Sequence, residues 1–120
     1  MRKKSLGKLG ENLAAKHLQN KGYQFIARNF TSRFGVIDLI FQDNDVLVFV
    51  EVKTRFSKSF GRPEEAVTSH KIKSIIKTGD YFKLLHPELP DSLRIDVVAI
   101  ELEPGEKRLL TLRHIKNVTG

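Results

Sequence analysis

Apolar and polar positions along this chain repeat with two periods, and the switches between them mark out its elements. From about Leu6 to Asn20 the period is helical. Lys8, Asn12, Lys16, Gln19 and Asn20 fill one arc of the wheel, and Leu6, Leu9, Leu13, Ala14 and Leu18 fill the opposite one. Gly22 stops this helix, and Tyr23 to Phe30 reads as a first strand. Between Phe34 and Arg55 two strand-length apolar runs flank the turn formers Asp43-Asn44-Asp45, the pattern of a β-hairpin. Thr54 to Pro63, rich in Ser, Gly and cations, reads as a mobile loop. A second helical period covers about Thr68 to Leu85, with Ile72, Ile75, Ile76, Gly79 and Phe82 as its apolar stripe and Lys73, Lys77 and Asp80 on its solvated face. Pro87 and Pro90 close it; Leu93 to Leu102 then supplies a fourth strand and Leu109 to Ile115 a fifth, at an edge.

The hairpin carries the chemistry. If Asn44 and Asp45 form a two-residue loop, Asp43 pairs with Val46 and opposed residue numbers sum to 89 along the ladder. Asp38 then faces Glu51. In this register Ile37, Leu39 and Phe41 meet Val52, Val50 and Val48 on one apolar face, while polarity on the other is confined to Val36 and Asp38 opposite Lys53 and Glu51. Directly opposed Cβ atoms stand about 4.5–5.5 Å apart, and like charges there repel. Two carboxylates so placed ask for a cation, and Mg²⁺ takes oxygen ligands of this kind while keeping positions for water and phosphate oxygens. Lys53, two residues from Glu51, points to the same side. It is placed to orient or help deprotonate a water, or to offset charge on a phosphate. An isolated E-x-K also reads as a salt bridge ending a strand. Here Val46 to Val52 contains no polar residue besides Glu51, so the strand reads as central and buried on both faces, and charges at its end call for a reason.

Glu11 is a second carboxylate in an unusual place. It falls in the apolar arc of the first helix beside Gly7, Ala14, Ala15 and Leu18, small neighbours that admit close approach by another element or a phosphate backbone. The competing reading is a rim residue whose carboxylate reaches water. His17 shares that arc and reads as a core-edge histidine.

Composition narrows the function. The chain has 120 residues, 21 Lys and Arg against 14 Asp and Glu, a formal net charge of +7, and no cysteine. A single domain of this size folds without disulfide or metal staples. The missing cysteines exclude a disulfide framework and a zinc–thiolate site. No apolar run approaches the ~18 residues of a membrane span, so the expectation is a cytoplasmic protein that does not engage a membrane. The positive balance favours a polyanionic partner. Arg28, Arg33, Arg55, Lys58 and Arg62 lie near the hairpin's open end, where phosphate-binding cations would offset repulsion between an acidic site and DNA. Lys71, at the border of the second helix's stripe, is placed either to reach a phosphate or to snorkel. Asp96, among apolar neighbours, reads as structural or as a support to the site, because the hairpin already supplies the expected set. His17, His70, His86 and His114 lack metal-ligand spacing, and neither a P-loop nor a dinucleotide fingerprint is present.

Several of these residues fall into a recognisable order. G-x-x-G-E-x-x-A-x-x-x-L-x-x-x-G-Y at Gly7 to Tyr23, R-N-F at Arg28 to Phe30, G-x-I-D-L-I at Gly35 to Ile40 and V-F-V-E-V-K-T-R at Val48 to Arg55 resemble the YraN-like family of small bacterial proteins. The similarity continues through Ala66-Val67, Lys71 and Arg94 to Ile100. That family is grouped with the Holliday-junction-resolvase-like nucleases of the PD-(D/E)xK superfamily. The resemblance implies an α/β (α+β) restriction-endonuclease-like domain over residues 1–120, in the order α-β-β-β-α-β-β, with a central mixed sheet flanked by helices. It also implies metal-dependent cleavage of DNA phosphodiesters, with Glu11, Asp38, Glu51 and Lys53 matching the superfamily's helix Glu, strand Asp and E-x-K pair. One position departs: family members commonly carry Glu where this chain has Val36, which weakens a second metal site.

The resulting expectation is an Mg²⁺- or Mn²⁺-dependent endonuclease acting on DNA, with branched or otherwise structured DNA among its candidate substrates. Asp38 and Glu51 hold the ion with the Val52 carbonyl, Lys53 assists the water, and Glu11 completes the shell. A resolvase-like role would require a symmetric homodimer. The alternatives are an accessory nucleic-acid-binding protein that keeps the fold without the chemistry, and a module that recruits an acidic protein partner.

Overall fold

The structure, a computed structural model, describes residues 3–57, 61–105 and 108–119. Helix α1 (Lys3–Asn20) leads into strands β1 (Gln24–Ser32), β2 (Gly35–Asp43) and β3 (Val46–Phe56). A short 3₁₀ helix (Pro63–Ala66) and helix α2 (Ser69–Leu85) follow, then β4 (Ser92–Leu102) and β5 (Leu109–Ile115). This is the expected order, and the five strands form one mixed sheet in the spatial order β1-β2-β3-β4-β5. β3 and β4 run parallel over their whole lengths, from Val46 beside Ser92 to Phe56 beside Leu102. A parallel pair needs a crossover connection, and α2 supplies it.

The two helices cover opposite faces of the sheet. Ala14 and Leu18 of α1 pack with Leu39, Phe41, Val48 and Val50, while Ile75 and Phe82 of α2 pack with Ile37, Ile40, Leu47 and Phe49. Both approaches depend on a glycine. A Cβ added to Gly10 would stand 1.8 Å from Thr54 Oγ1, and one added to Gly79 would stand 2.5 Å from the Phe49 ring. The helices therefore press on β3 from both sides, which is why β3 tolerates so few polar residues. Ile76, expected in the α2 stripe, is 44% exposed.

The hairpin register is the expected one from Asp43–Val46 to Leu39–Val50, with Asn44 in the left-handed region at φ 52°. It departs at the open end in two ways. The Cα pairing of β2 with β3 stops at Leu39–Val50, and Ile37 packs on the α2 side with Ile40 instead of joining Leu39 and Phe41. The same reversal occurs on β1. Arg28, paired with Leu39, reaches α1, whereas Phe30, paired with Ile37, packs on the α2 side. Between them Asn29 takes φ 52°, a conformation outside the extended region. The alternation of faces breaks at Asn29 and Asp38 together. The expected loop from Thr54 is also corrected: β3 continues to Phe56, because pairing with β4 carries its backbone hydrogen bonds that far.

On β4, beside Val50 of β3, lies a buried polar network. Asp96, fully buried, accepts hydrogen bonds from Arg94 Nε (3.0 Å) and the Asn117 main-chain N–H (2.9 Å), and contacts His114 Nε2 at 2.7 Å. Arg94 also pairs with Asp43 at 3.0 Å. Burial alone would raise the Asp96 pKa, but the hydrogen bonds from His114, Arg94 and Asn117 outweigh it and hold the carboxyl below its usual range. Asp96 is structural, as expected.

Candidate functional site

Where β2 stops pairing with β3, a side chain takes over from the backbone. The Val52 N–H donates to Asp38 Oδ2 at 2.8 Å, which fixes the Asp38 carboxylate at the gap between the strands. Glu51 lies beside it on β3, 3% exposed. Asp38 and Glu51 do converge, held by this side-chain bond to the backbone beyond the last paired residues, Leu39 and Val50.

The two oxygens of Glu51 have different surroundings. Lys53 Nζ lies 3.9 Å and Lys71 Nζ 3.8 Å from Oε2. Oε1 is buried with no donor among the described residues. Its neighbour is the Asp38 carboxylate, also an acceptor, so the two hydrogen-bond only when one of them holds a proton. Burial, then that hydrogen bond and the Asp38 charge, raise the Glu51 pKa to about 8 against a pull downward from Lys71 and Lys53. The corner is short of positive charge at one defined point, and two carboxylates with one orphaned oxygen are a donor set that suits a hard divalent cation.

A cleft of about 530 Å³ opens over this corner, lined by Leu6, Gly7 and Glu11 from α1, Asp38 from β2, Glu51 to Phe56 from β3 and Lys71 from α2. It sits towards the carboxyl end of β3, where open α/β sheets bind ligands. Glu11 is in the cleft, but its Oε1 accepts from Arg28 Nε at 3.2 Å. Among the described residues no three His, Cys, Asp or Glu side chains gather closely enough to hold an ion by themselves. The expected trio thus resolves into the Asp38–Glu51 pair and a third carboxylate held by Arg28. Val36 is not among the residues that line the cleft.

The cations expected around the site are dispersed in role. Arg28 fastens β1 to α1, donating also to Asn12 Oδ1 at 2.7 Å. Arg55 lines the cleft. Arg33 lies on the β1–β2 turn with its guanidinium 4.9 Å from the Phe34 ring centroid. Arg62 caps the 3₁₀ helix, its main-chain N–H donating to Glu65 Oε2 at 3.1 Å. Lys58 lies outside the described residues. Lys71 reaches the carboxylate corner itself, a role its sequence position left open. It gets there because Thr68 Oγ1 caps α2 by accepting the Lys71 N–H at 3.1 Å, starting the helix beside β3. Among the described residues no helix is long and apolar enough to cross a membrane.

Fold and corner together define a class: an α+β domain whose central strand, pressed between two helices, carries a buried Glu51 beside the half-buried Asp38 of β2, with two ammonium groups near Glu51. Residues 10–100 match the uncharacterised protein family UPF0102. The chain is 43% identical over 114 residues to a UPF0102 protein of Syntrophomonas wolfei, covering 95% of this chain and 96% of that one. It is 45% identical over 112 residues to one of Symbiobacterium thermophilum, covering 93% of each, and 39% identical over 115 residues to one of Caldanaerobacter subterraneus, covering 96% and 94%. The protein belongs to UPF0102, the YraN-like family.

Proposed function

We propose that this protein is a divalent-metal-dependent endonuclease that hydrolyses DNA phosphodiester bonds, with a restriction-endonuclease-like core. The observation that carries the reading is the pairing of the buried Glu51 with the half-buried Asp38, Glu51 having one oxygen without a donor among the described residues and two ammonium groups near the other. Asp38, Glu51 and the Val52 carbonyl would hold Mg²⁺ or Mn²⁺, which when bound supplies Lewis acidity and a more acidic water. Val52 also keeps Asp38 oriented through its N–H, so ligand position and strand geometry are coupled. Lys53 holds the attacking water or a non-bridging oxygen by hydrogen bonding and offsets charge that grows on the phosphate. Lys71, at similar range of Glu51, provides a second positive group for the same charge. Arg28 restrains Glu11 at the cleft wall, from where its carboxylate would complete the ion's shell directly or through water. The overall positive balance brings the polyanion to this acidic corner. Catalysis of this kind is mainly positional and electrostatic.

The test is cleavage of labelled linear, single-stranded, flapped and four-way DNAs with Mg²⁺ or Mn²⁺, comparing wild type with Asp38→Asn and Lys53→Ala. The expected result is metal-dependent cutting that either substitution reduces at least about 100-fold. DNA binding without cutting in any metal would overturn the catalytic reading and leave an accessory nucleic-acid-binding protein, the outcome that Val36 in place of the family's usual Glu makes pertinent.

A further inference from the structure

The β1–β2 turn presents an aromatic ring where turns usually carry small polar residues. Phe34 is 39% exposed and, across a groove of about 380 Å³ lined by Thr31, Ser32 and Arg33, faces Tyr81 of α2, itself 43% exposed. That volume falls within the roughly 300–1,000 Å³ of small-molecule clefts. Two cations attend the ring: Arg33 at 4.9 Å and Lys77 of α2 at 5.7 Å from its centroid.

The turn is held in place. Ser74 Oγ donates to the Phe34 carbonyl at 2.6 Å, the Phe34 N–H donates to Ser32 Oγ at 3.0 Å, and Ser32 Oγ lies 2.9 Å from Thr78 Oγ1. Tyr81 is braced from beneath by Phe30 at 6.0 Å. Both rings are therefore presented on fixed backbone, so little ordering is needed when something stacks on them. A groove with aromatic walls and cationic edges is complementary to a flat π-face that travels with a phosphate, the combination found in an unpaired nucleotide.

Its position ties it to the carboxylate corner. Lys71, Ser74, Lys77 and Tyr81 follow one another along α2 at three- and four-residue steps, so they share a face. Lys71 lies near Glu51 at one end of this line and Lys77 attends Phe34 about 9 Å further on, one turn before Tyr81. Along β2, Phe34 precedes Asp38 by four residues, at most roughly 13 Å. We infer that Phe34 and Tyr81 form a stacking subsite for an unpaired nucleobase, so that the substrate is a strand with at least one unpaired nucleotide close to the scissile bond. The inference rests on the nucleic-acid reading above.

Binding of a fluorescein-labelled single-stranded oligonucleotide and of the matching duplex, measured by anisotropy in EDTA, separates the two readings. Phe34→Ala is expected to weaken single-strand binding about 5- to 150-fold while changing duplex binding less than about twofold. Lys77→Ala is expected to lower the salt slope for single strands by about 0.7, which Phe34→Ala leaves unchanged. Because the chain has no tryptophan, Phe34→Trp adds a lone reporter. Its emission is expected to be quenched by the single strand, with affinity retained. Unchanged single-strand binding by Phe34→Ala, or equal losses on single strand and duplex, overturns the stacking subsite alone. A wild-type protein that holds neither form overturns the nucleic-acid reading and the subsite with it.

Discussion

Replacing Glu51 by Gln should stabilise the metal-free protein at high pH while removing activity. The native state holds the Glu51 proton up to about pH 8, whereas the unfolded chain releases it near 4.5. Stability contributed by that proton is thus fully present below about pH 4.5, falls across the interval and is gone above about pH 8. The full difference corresponds to about 5 kcal/mol, an upper limit that belongs to the Asp38–Glu51 pair as a unit. Gln at position 51 carries no charge to bury, and its amide N–H donates to the Asp38 carboxylate, satisfying the contact that ionised Glu51 leaves unmade. The assay is urea unfolding followed by far-UV circular dichroism in EDTA, at pH 5 and pH 9, for wild type and Glu51→Gln. Taking the difference between the two proteins cancels every other titrating group. Wild type should lose several kcal/mol relative to the variant between these pH values, and Mn²⁺ at pH 9 should stabilise only wild type. Curves that stay parallel within about 1 kcal/mol would show that the pair carries no excess electrostatic burden, and would remove the physical argument for a cation at this corner.

Gly10→Ala should lower stability by about 1–3 kcal/mol, because α1 cannot keep its distance from Thr54 of β3 once a Cβ is present; thermal melts check this, and adding Thr54→Ala should recover part of the loss. Asp96→Asn should cost about 3–5 kcal/mol by leaving Arg94 and its neighbours without their buried charge. The Asp96 pKa is held below its usual 3.8, so wild-type stability from this group is present above that value and lost as pH falls through the lower native one. The gap between wild type and Asp96→Asn should accordingly narrow in urea titrations below pH 4.

Much of the fold was legible because several local signals agreed. Asp43-Asn44-Asp45 set the hairpin register, the α1 and α2 periodicities set which faces are buried, and Leu109 to Ile115 was readable as a complete strand. The departures share one cause, which is that alternation along a strand is a local rule and neighbouring strands can override it. Asn29 is left-handed at the level where both β1 and β2 change faces, and no residue pattern in β2 alone announces this. Likewise Thr54 to Phe56 carry a loop's composition, yet β4 alongside offers them a ladder.

The same reversal accounts for what the sequence could and could not say about the site. Strict alternation put Asp38 and Glu51 on one face, and the structure does bring the two carboxylates together, for a different reason. In the structure the end of the β2–β3 pairing leaves the Val52 N–H to be satisfied, and Asp38 is the side chain that satisfies it. An Asp38→Ala change therefore removes a strand contact along with a carboxylate, whereas Asp38→Asn keeps an acceptor for Val52 and changes only the charge. That is the reason to judge the chemistry by the Asn variant. The sequence singled out Lys71 but left its role open, and it did not single out Phe34, because each meets its surroundings only through the docking of α2 on the sheet, fixed by Gly79 against Phe49 and by Ser74 on the β1–β2 turn. What the sequence did hold was their spacing: Lys71, Ser74, Lys77 and Tyr81 form a polar and aromatic line beside the apolar stripe of α2. Such a line becomes a functional candidate once the carboxylate at its end is known.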